Sequence, residues 1–212
     1  MKVTKMGHCC LLIETGGLKI LTDPGNYTTS QNELKNVDVV LITHEHADHF
    51  HMESLKTVLK NNPQAQVITN KGVGIRLEAE VMKYTLVEHG QEVKIKNILI
   101  QGLGEKHQQM YKEWGQVDNT GYFIASKLFY PGDALFNPNK EVEILALPVA
   151  GPWMKLSEAI DYALEIKPKV CFPVHDGGLK APGVAHRLPN TILPEKGINF
   201  VVIEEGKSLE FT

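Results

Sequence analysis

Apolar residues fall in short runs along the chain, most of them too short for helices. The runs at 9–13 and 18–21 flank Thr15-Gly16-Gly17, a pattern that predicts a β-hairpin. Residues 37–43 read VDVVLIT, the near-continuous apolar run of a strand covered on both faces. Further strands are predicted at 67–69, 92–100, 121–125, 128–130, 144–147, 170–173, 199–203 and 208–211. Helical spacing is rarer. Met52, Leu55, Val58 and Leu59 place it at 51–60, and a weaker pattern covers 74–82. The clearest helix is 156–166, with Ser157 near its start and Pro168 beyond its end. Residues 181–191, APGVAHRLPNT, read as a loop because proline and glycine interrupt them.

Strands dominate the first part, and a helix–strand unit follows Pro152. That order suggests two sheets with helices outside. Neither a linker nor a repeat divides the sequence, so 1–212 is expected to form a single domain.

The 212 residues are 42% hydrophobic and 22% charged, ordinary proportions for a chain with a packed core. The formal charge of -3 is spread along the sequence without a basic stripe, so no nucleic-acid partner is expected. No apolar run is long enough to span a bilayer, and the opening residues lack the pattern of a secretory signal. Cys9, Cys10 and Cys171 are odd in number and two are adjacent, a poor disulfide framework. A reducing, cytoplasmic setting is therefore expected.

The most informative segment is Thr43-His44-Glu45-His46-Ala47-Asp48-His49. It follows the buried strand and precedes a helix. Alternate residues of an extended loop point the same way, so His44 and His46 can reach one metal ion together. Asp48 and His49 project from the turn into the helix toward a second position. Glu45, between ligands, points away. Imidazole with carboxylate suits zinc, iron or nickel. Other candidate ligands stand where predicted strands end: His107, Asp133 after Gly132, and His175.

These residues carry a resemblance. The signature His44-x-His46-x-Asp48-His49, then His107, Gly132-Asp133 and His175, resembles the metallo-β-lactamase superfamily in kind and order. GHCCLLIETGGLKILTDPG resembles its first hairpin, ending at Asp23-Pro24. NTGYFIASKLFYPGDA and LSEAIDYALEIKPKVCFPVHDG are most similar to its compact branch of ascorbate-6-phosphate lactonase-like and metal-dependent hydrolases. The resemblance implies an α/β fold, an αββα sandwich of two mixed β-sheets flanked by helices. It also implies two divalent metal ions, zinc first, with manganese, iron or nickel as alternatives. His44, His46 and His107 would hold one ion and Asp48, His49 and His175 the other, with Asp133 bridging. Asp23 would orient a ligand or the signature loop.

Such a pair lowers the pKa of water and polarises a carbonyl or phosphoryl oxygen. Two divalent ions, two aspartates and one hydroxide leave roughly one positive charge, which favours an anionic or oxyanion-forming substrate. The expected activity is hydrolysis of a small anionic ester, lactone or phosphoester, with Asp48 and Asp133 as the catalytic carboxylates. His8, Trp153, His186 and Arg187 are candidate substrate contacts, and Lys180 sits in the same loop as Arg187. The partner is then a small molecule, with self-association left open. The alternatives are a phosphodiesterase or nuclease, or an iron-dependent oxidoreductase of sulfur dioxygenase type. His46 stands where diiron relatives carry glutamate, which argues against the diiron oxidoreductases and leaves the sulfur dioxygenase type as the oxidoreductase alternative.

Overall fold

The computed structural model describes residues 1–112, 114 and 116–212. The first part of the chain forms β1 (Lys2–Gly7), β2 (Cys10–Thr15), β3 (Leu18–Thr22), β4 (Val39–Ile42), α1 (Met52–Asn61), β5 (Gln66–Thr69), α2 (Lys71–Ala79) and β6 (Thr85–Leu86). The second forms β7 (Glu92–Ile95), β8 (Ile98–Leu103), β9 (Gly121–Ile124), β10 (Leu128–Tyr130), β11 (Ile144–Pro148), α3 (Leu156–Ile166), β12 (Val170–Val174), α4 (Gly183–Ile192) and β13 (Asn199–Phe200). The last strand, β14 (Ser208–Glu210), returns to pair with β1. The strand orders are β14-β1-β2-β3-β4-β5-β6 in one sheet and β13-β12-β11-β10-β9-β8-β7 in the other.

Both sheets are mixed. In the first, β1, β2 and β3 pair antiparallel, and β3 through β6 pair parallel. In the second, β7 through β10 pair antiparallel, and β10 through β13 pair parallel. Strand periodicity explains the layering. In β4, Val39 and Leu41 enter the cluster between the sheets, while Val40 and Ile42 face the cluster with Leu55 and Val58 of α1. In β11, Ile144 and Ala146 face inward, and Leu145 and Leu147 pack on Ala159 and Ala163 of α3. The αββα sandwich of the sequence expectation is therefore the observed architecture. Truncating a position such as Leu41 to alanine would cost about 2–5 kcal/mol.

Several elements differ from the sequence pattern. β1 is absent from that pattern, because lysine fills two of its six places. Lys5 is nevertheless buried, its Nζ donating to both oxygens of Asp176 (2.6 and 2.8 Å) and to the Pro173 carbonyl (3.0 Å). The run at 92–100 is two strands joined at Lys96-Asn97, both with positive φ (44° and 68°), which reverses the chain. Residues 183–192 form a helix, not a loop, with Pro189 inside it. α2 starts at Lys71, where the Asn70 side chain accepts from the Val73 amide (3.1 Å) as a cap. Among the described residues no helix is long and apolar enough to cross a membrane.

Candidate metal centre

The signature loop leaves the C-terminal end of β4, and Asp23, at the end of β3, holds it. Asp23 is fully buried. Its Oδ1 accepts from the Thr43 amide (2.8 Å). Its Oδ2 takes the Thr43 hydroxyl (2.7 Å), the Tyr130 hydroxyl (2.6 Å) and His49 Nδ1 (2.6 Å). One carboxylate thus ties β3, the signature loop and β10 together. Asn70 adds a second tie, its Nδ2 donating to the Thr43 carbonyl (2.7 Å).

These contacts fix which ring nitrogen of each histidine carries the proton. A carboxylate can only accept, so His49 Nδ1 is protonated, and the neutral ring presents a lone pair at Nε2. The Thr43 hydroxyl gives its proton to Asp23 and so accepts from His44 Nδ1 (3.0 Å). His107 Nδ1 donates to the Gln108 carbonyl (2.5 Å). All three therefore turn Nε2 inward, and in their neutral form it is unprotonated, the tautomer of a metal ligand.

Asp133 is the meeting point. Gly132, with φ of 65°, brings the chain against Asn119 and Thr43; a Cβ there would lie 2.4 Å from Asn119 Oδ1. Asn119 Oδ1 accepts from the Asp133 amide (3.1 Å), and the Gln108 amide donates to the Asp133 carbonyl (2.8 Å). Asp133 Oδ1 lies 3.1 Å from His49 Nε2. Its Oδ2 lies 2.9 Å from His175 Nε2, 3.3 Å from His107 Nε2 and 3.8 Å from His44 Nε2. Yet Nε2 of His44, His49, His107 and His175, and Asp133 Oδ1, are buried without a hydrogen-bond partner. Such atoms are costly to leave unsatisfied. Here all five converge on one small volume.

The donor atoms form two groups, each with all members within 4.8 Å of one another. One contains His44, His46, His107 and Asp133; the other contains His8, Cys9, His49 and His175. Asp48 stands beside the second, with Oδ2 3.5 Å from His175 Nε2, 3.8 Å from His49 Nε2 and 3.1 Å from His8 Nε2. The residues present fit a pair of divalent ions: imidazole and carboxylate donors, correct tautomers and unsatisfied lone pairs aimed at shared points. Glu45 points away and pairs with Arg76 through both oxygens (3.1 and 3.0 Å).

Protonation separates the groups. Burial, with His49 and His107 nearby, holds His44 well below the usual imidazole pKa, and burial with His107 lowers His46. Burial also works to lower His175, but Cys9 and Asp133 outweigh it and push it up to about 11. His49 is likewise raised by Asp133, Cys9 and Asp23 against burial. Burial alone would raise the Cys9 thiol; His8, His49 and His175 bring it down to about 6. Asp48 stays ionised, because bonds to His175 and His8 outweigh its burial.

A cleft of about 340 Å³ opens over the centre, lined by Tyr27, His46, Asp48, Met110, Pro152 and Trp153 among others, with no lysine or arginine among the described lining residues. Trp153 is buried, and its Nε1 donates to Asp133 Oδ2 (3.0 Å). His8 lies at the second group. His186 is on α4, with Nε2 2.7 Å from Asp176 Oδ2. Arg187 and Lys180 are exposed and do not line the cleft. Sequence reasoning does not single out Cys9, Tyr27, Tyr130 or Asn119 as site residues. Without β1 in the pattern, Cys9 does not read as part of a turn beside the site, although its neighbour His8 is singled out as a substrate contact.

Comparison with known proteins identifies the family. The beta-lactamase superfamily domain model matches residues 2–175, and the chain belongs to the metallo-β-lactamase superfamily. A Mycobacterium tuberculosis protein is 31% identical over 216 residues, covering 100% of both chains. A UPF0173 metal-dependent hydrolase of Aeropyrum pernix is 26% identical over 204 residues, covering 83% of this chain and 82% of its own. A metallo hydrolase of Ignicoccus hospitalis has the same fold, with a TM-score of 0.78 at 20% identity, covering 100% of this chain and 99% of its own.

Proposed function

We propose that the chain is a metal-dependent hydrolase of small esters, lactones or phosphoesters, with two divalent ions, zinc first, in the two donor groups. The supporting observation is the convergence of five buried, unpartnered donor atoms around Asp133, with Nε2 turned inward on His44, His49 and His107. His44, His46 and His107 would hold one ion, His49, His175 and Asp48 the other, and Asp133 both. Bound there, such ions would acidify water and polarise a carbonyl or phosphoryl oxygen.

The chain's own residues supply the rest. Trp153 fixes Asp133 Oδ2 through its indole N–H. Asp48, half-buried at the cleft floor, is held ionised and suits a ligand. With no lysine or arginine among the described lining residues, attraction for an anionic substrate would come from the ions themselves. The relatives named as metal-dependent hydrolases support the reaction class.

The test is elemental analysis of the protein under saturating zinc, followed by a substrate panel on metal-depleted and reloaded samples. About two ions per chain and metal-dependent cleavage of an ester, lactone or phosphoester are expected. A single ion would reduce the centre to a mononuclear one, and no bound metal would end the reading. Preference for long RNA, or oxygen consumption with a persulfide, would move the chain to a nuclease or a dioxygenase.

A further inference from the structure

His8 belongs by distance to the second donor group, as if it were another ligand. Its hydrogen bonds assign it a different task. The Gly177 amide donates to His8 Nδ1 (3.1 Å). A backbone N–H cannot accept, so Nδ1 must be unprotonated, and a neutral imidazole then carries its proton on Nε2. That Nε2 faces Asp48 Oδ2 at 3.1 Å, and a carboxylate accepts. His8 is thus the reverse tautomer of His44, His49 and His107, and has no lone pair to offer an ion at Nε2.

The surroundings hold it in that state. His8 has φ of 52°, a left-handed conformation rare for residues other than glycine, which is kept only where neighbours enforce it. The ring packs against Tyr27 (centroids 4.5 Å apart) and His175 (4.3 Å). Gly177 touches it so closely that a Cβ there would lie 2.9 Å from His8 Cβ. Lys5, clamped on Asp176 and the Pro173 carbonyl, fastens this loop to β1. Cys9 and Asp48 draw a second proton toward the ring against burial, but the Gly177 amide occupies the place where it would go.

We propose that His8 is a positioning residue, an Nε2–H donor to Asp48 Oδ2 that holds this carboxylate beside His49 and His175 at the second metal position, and is not itself a ligand. This rests on the two-metal reading above. Ligating carboxylates left without such a partner lose metal affinity, typically 10–100-fold.

The test combines ring ¹⁵N NMR with zinc titration. Spectra of the metal-free and zinc-loaded protein, assigned by the signals lost in His8→Gln, should show His8 Nε2 protonated and Nδ1 unprotonated in both. His8→Ala should still take two zinc ions at saturation, with the second bound about 10–100-fold more weakly. His8→Gln, which restores an N–H near the Nε2 position, should recover most of that loss. Gly177→Ala should mimic His8→Ala by displacing the ring. His49→Ala should lose the second ion outright. A zinc-bound, unprotonated Nε2 on His8, or a His8→Ala protein that cannot take the second ion at all, would make His8 a ligand and overturn the proposal. Unchanged second-ion affinity in His8→Ala would overturn it too. If wild type bound no zinc, the two-metal reading would fall and the positioning role with it, while the proton assignment would still be read from the metal-free spectrum.

Discussion

The two halves of the centre are built from similar side chains but meet protons in opposite ways. Around His44, His46 and His107, burial and crowding of like groups keep His44 and His46 neutral. Around His49 and His175, Asp133 and Cys9 hold protons on the rings. The first position is therefore ready for a cation as folded. The second holds protons until a cation replaces them. Asp133 joins the halves, touching His44 and His107 on one side and His49 and His175 on the other.

The most severe way to break this comparison is Asp133→Ala, which removes the group both halves share. Metal content should fall by at least one ion per chain, and kcat/KM should drop on the order of 10³-fold. Glu45→Ala, between His44 and His46 but turned toward Arg76, should leave both values within about twofold of wild type. If the two variants behaved alike, the assignment of the signature loop would be wrong.

A pH series sharpens the contrast. Cys9 and Asp133 push His175 up to about 11, and His49 is raised by Asp133, Cys9 and Asp23. Through neutrality the second ion must therefore displace protons, so its affinity should rise with pH and fall on acidification. With both rings protonated the slope is about 100-fold per pH unit. The first ion meets rings with lowered pKa values and should show a flat profile through neutrality. Calorimetry in buffers of different ionisation heat counts the protons released. Equal proton release by both ions would dissolve the distinction.

Asp23→Asn has a smaller expected effect. The amide keeps the shape but disturbs four hydrogen bonds, including the one on His49 Nδ1. Second-ion affinity should fall about 10–100-fold, more than first-ion affinity, because His49 is the ligand that Asp23 touches directly. Parallel zinc titrations of wild type and variant give both constants, and an equal loss at the two positions would place the effect in the loop as a whole.

Much of this centre is legible in the amino-acid sequence. The signature declares itself because three histidines and an aspartate crowd six positions after a buried strand, a local pattern. His107, Asp133 and His175 stand out because ligands tend to sit where strands end, and the sandwich follows from family resemblance. What the sequence hides depends on partners far along the chain. Lys5 disguises β1, since its burial makes sense only with Asp176. Pro182, Gly183 and Pro189 disguise α4. The tautomer of His8 is set by an amide 169 residues away, which no local pattern encodes.

The placement of the proposed ligands has a mechanical consequence. His49 follows β4 in one sheet, whereas Asp133 and His175 follow β10 and β12 in the other. An ion held by all three is a crosslink between layers, closing a chain segment of well over a hundred residues, as a disulfide would. Cross-links that close long loops restrict the unfolded chain most. A chelator should therefore do more than silence the enzyme. It should unpin the sandwich at the end that bears the cleft, and the melting temperature should drop when the second ion leaves, by more than when Asp48 alone is replaced by alanine.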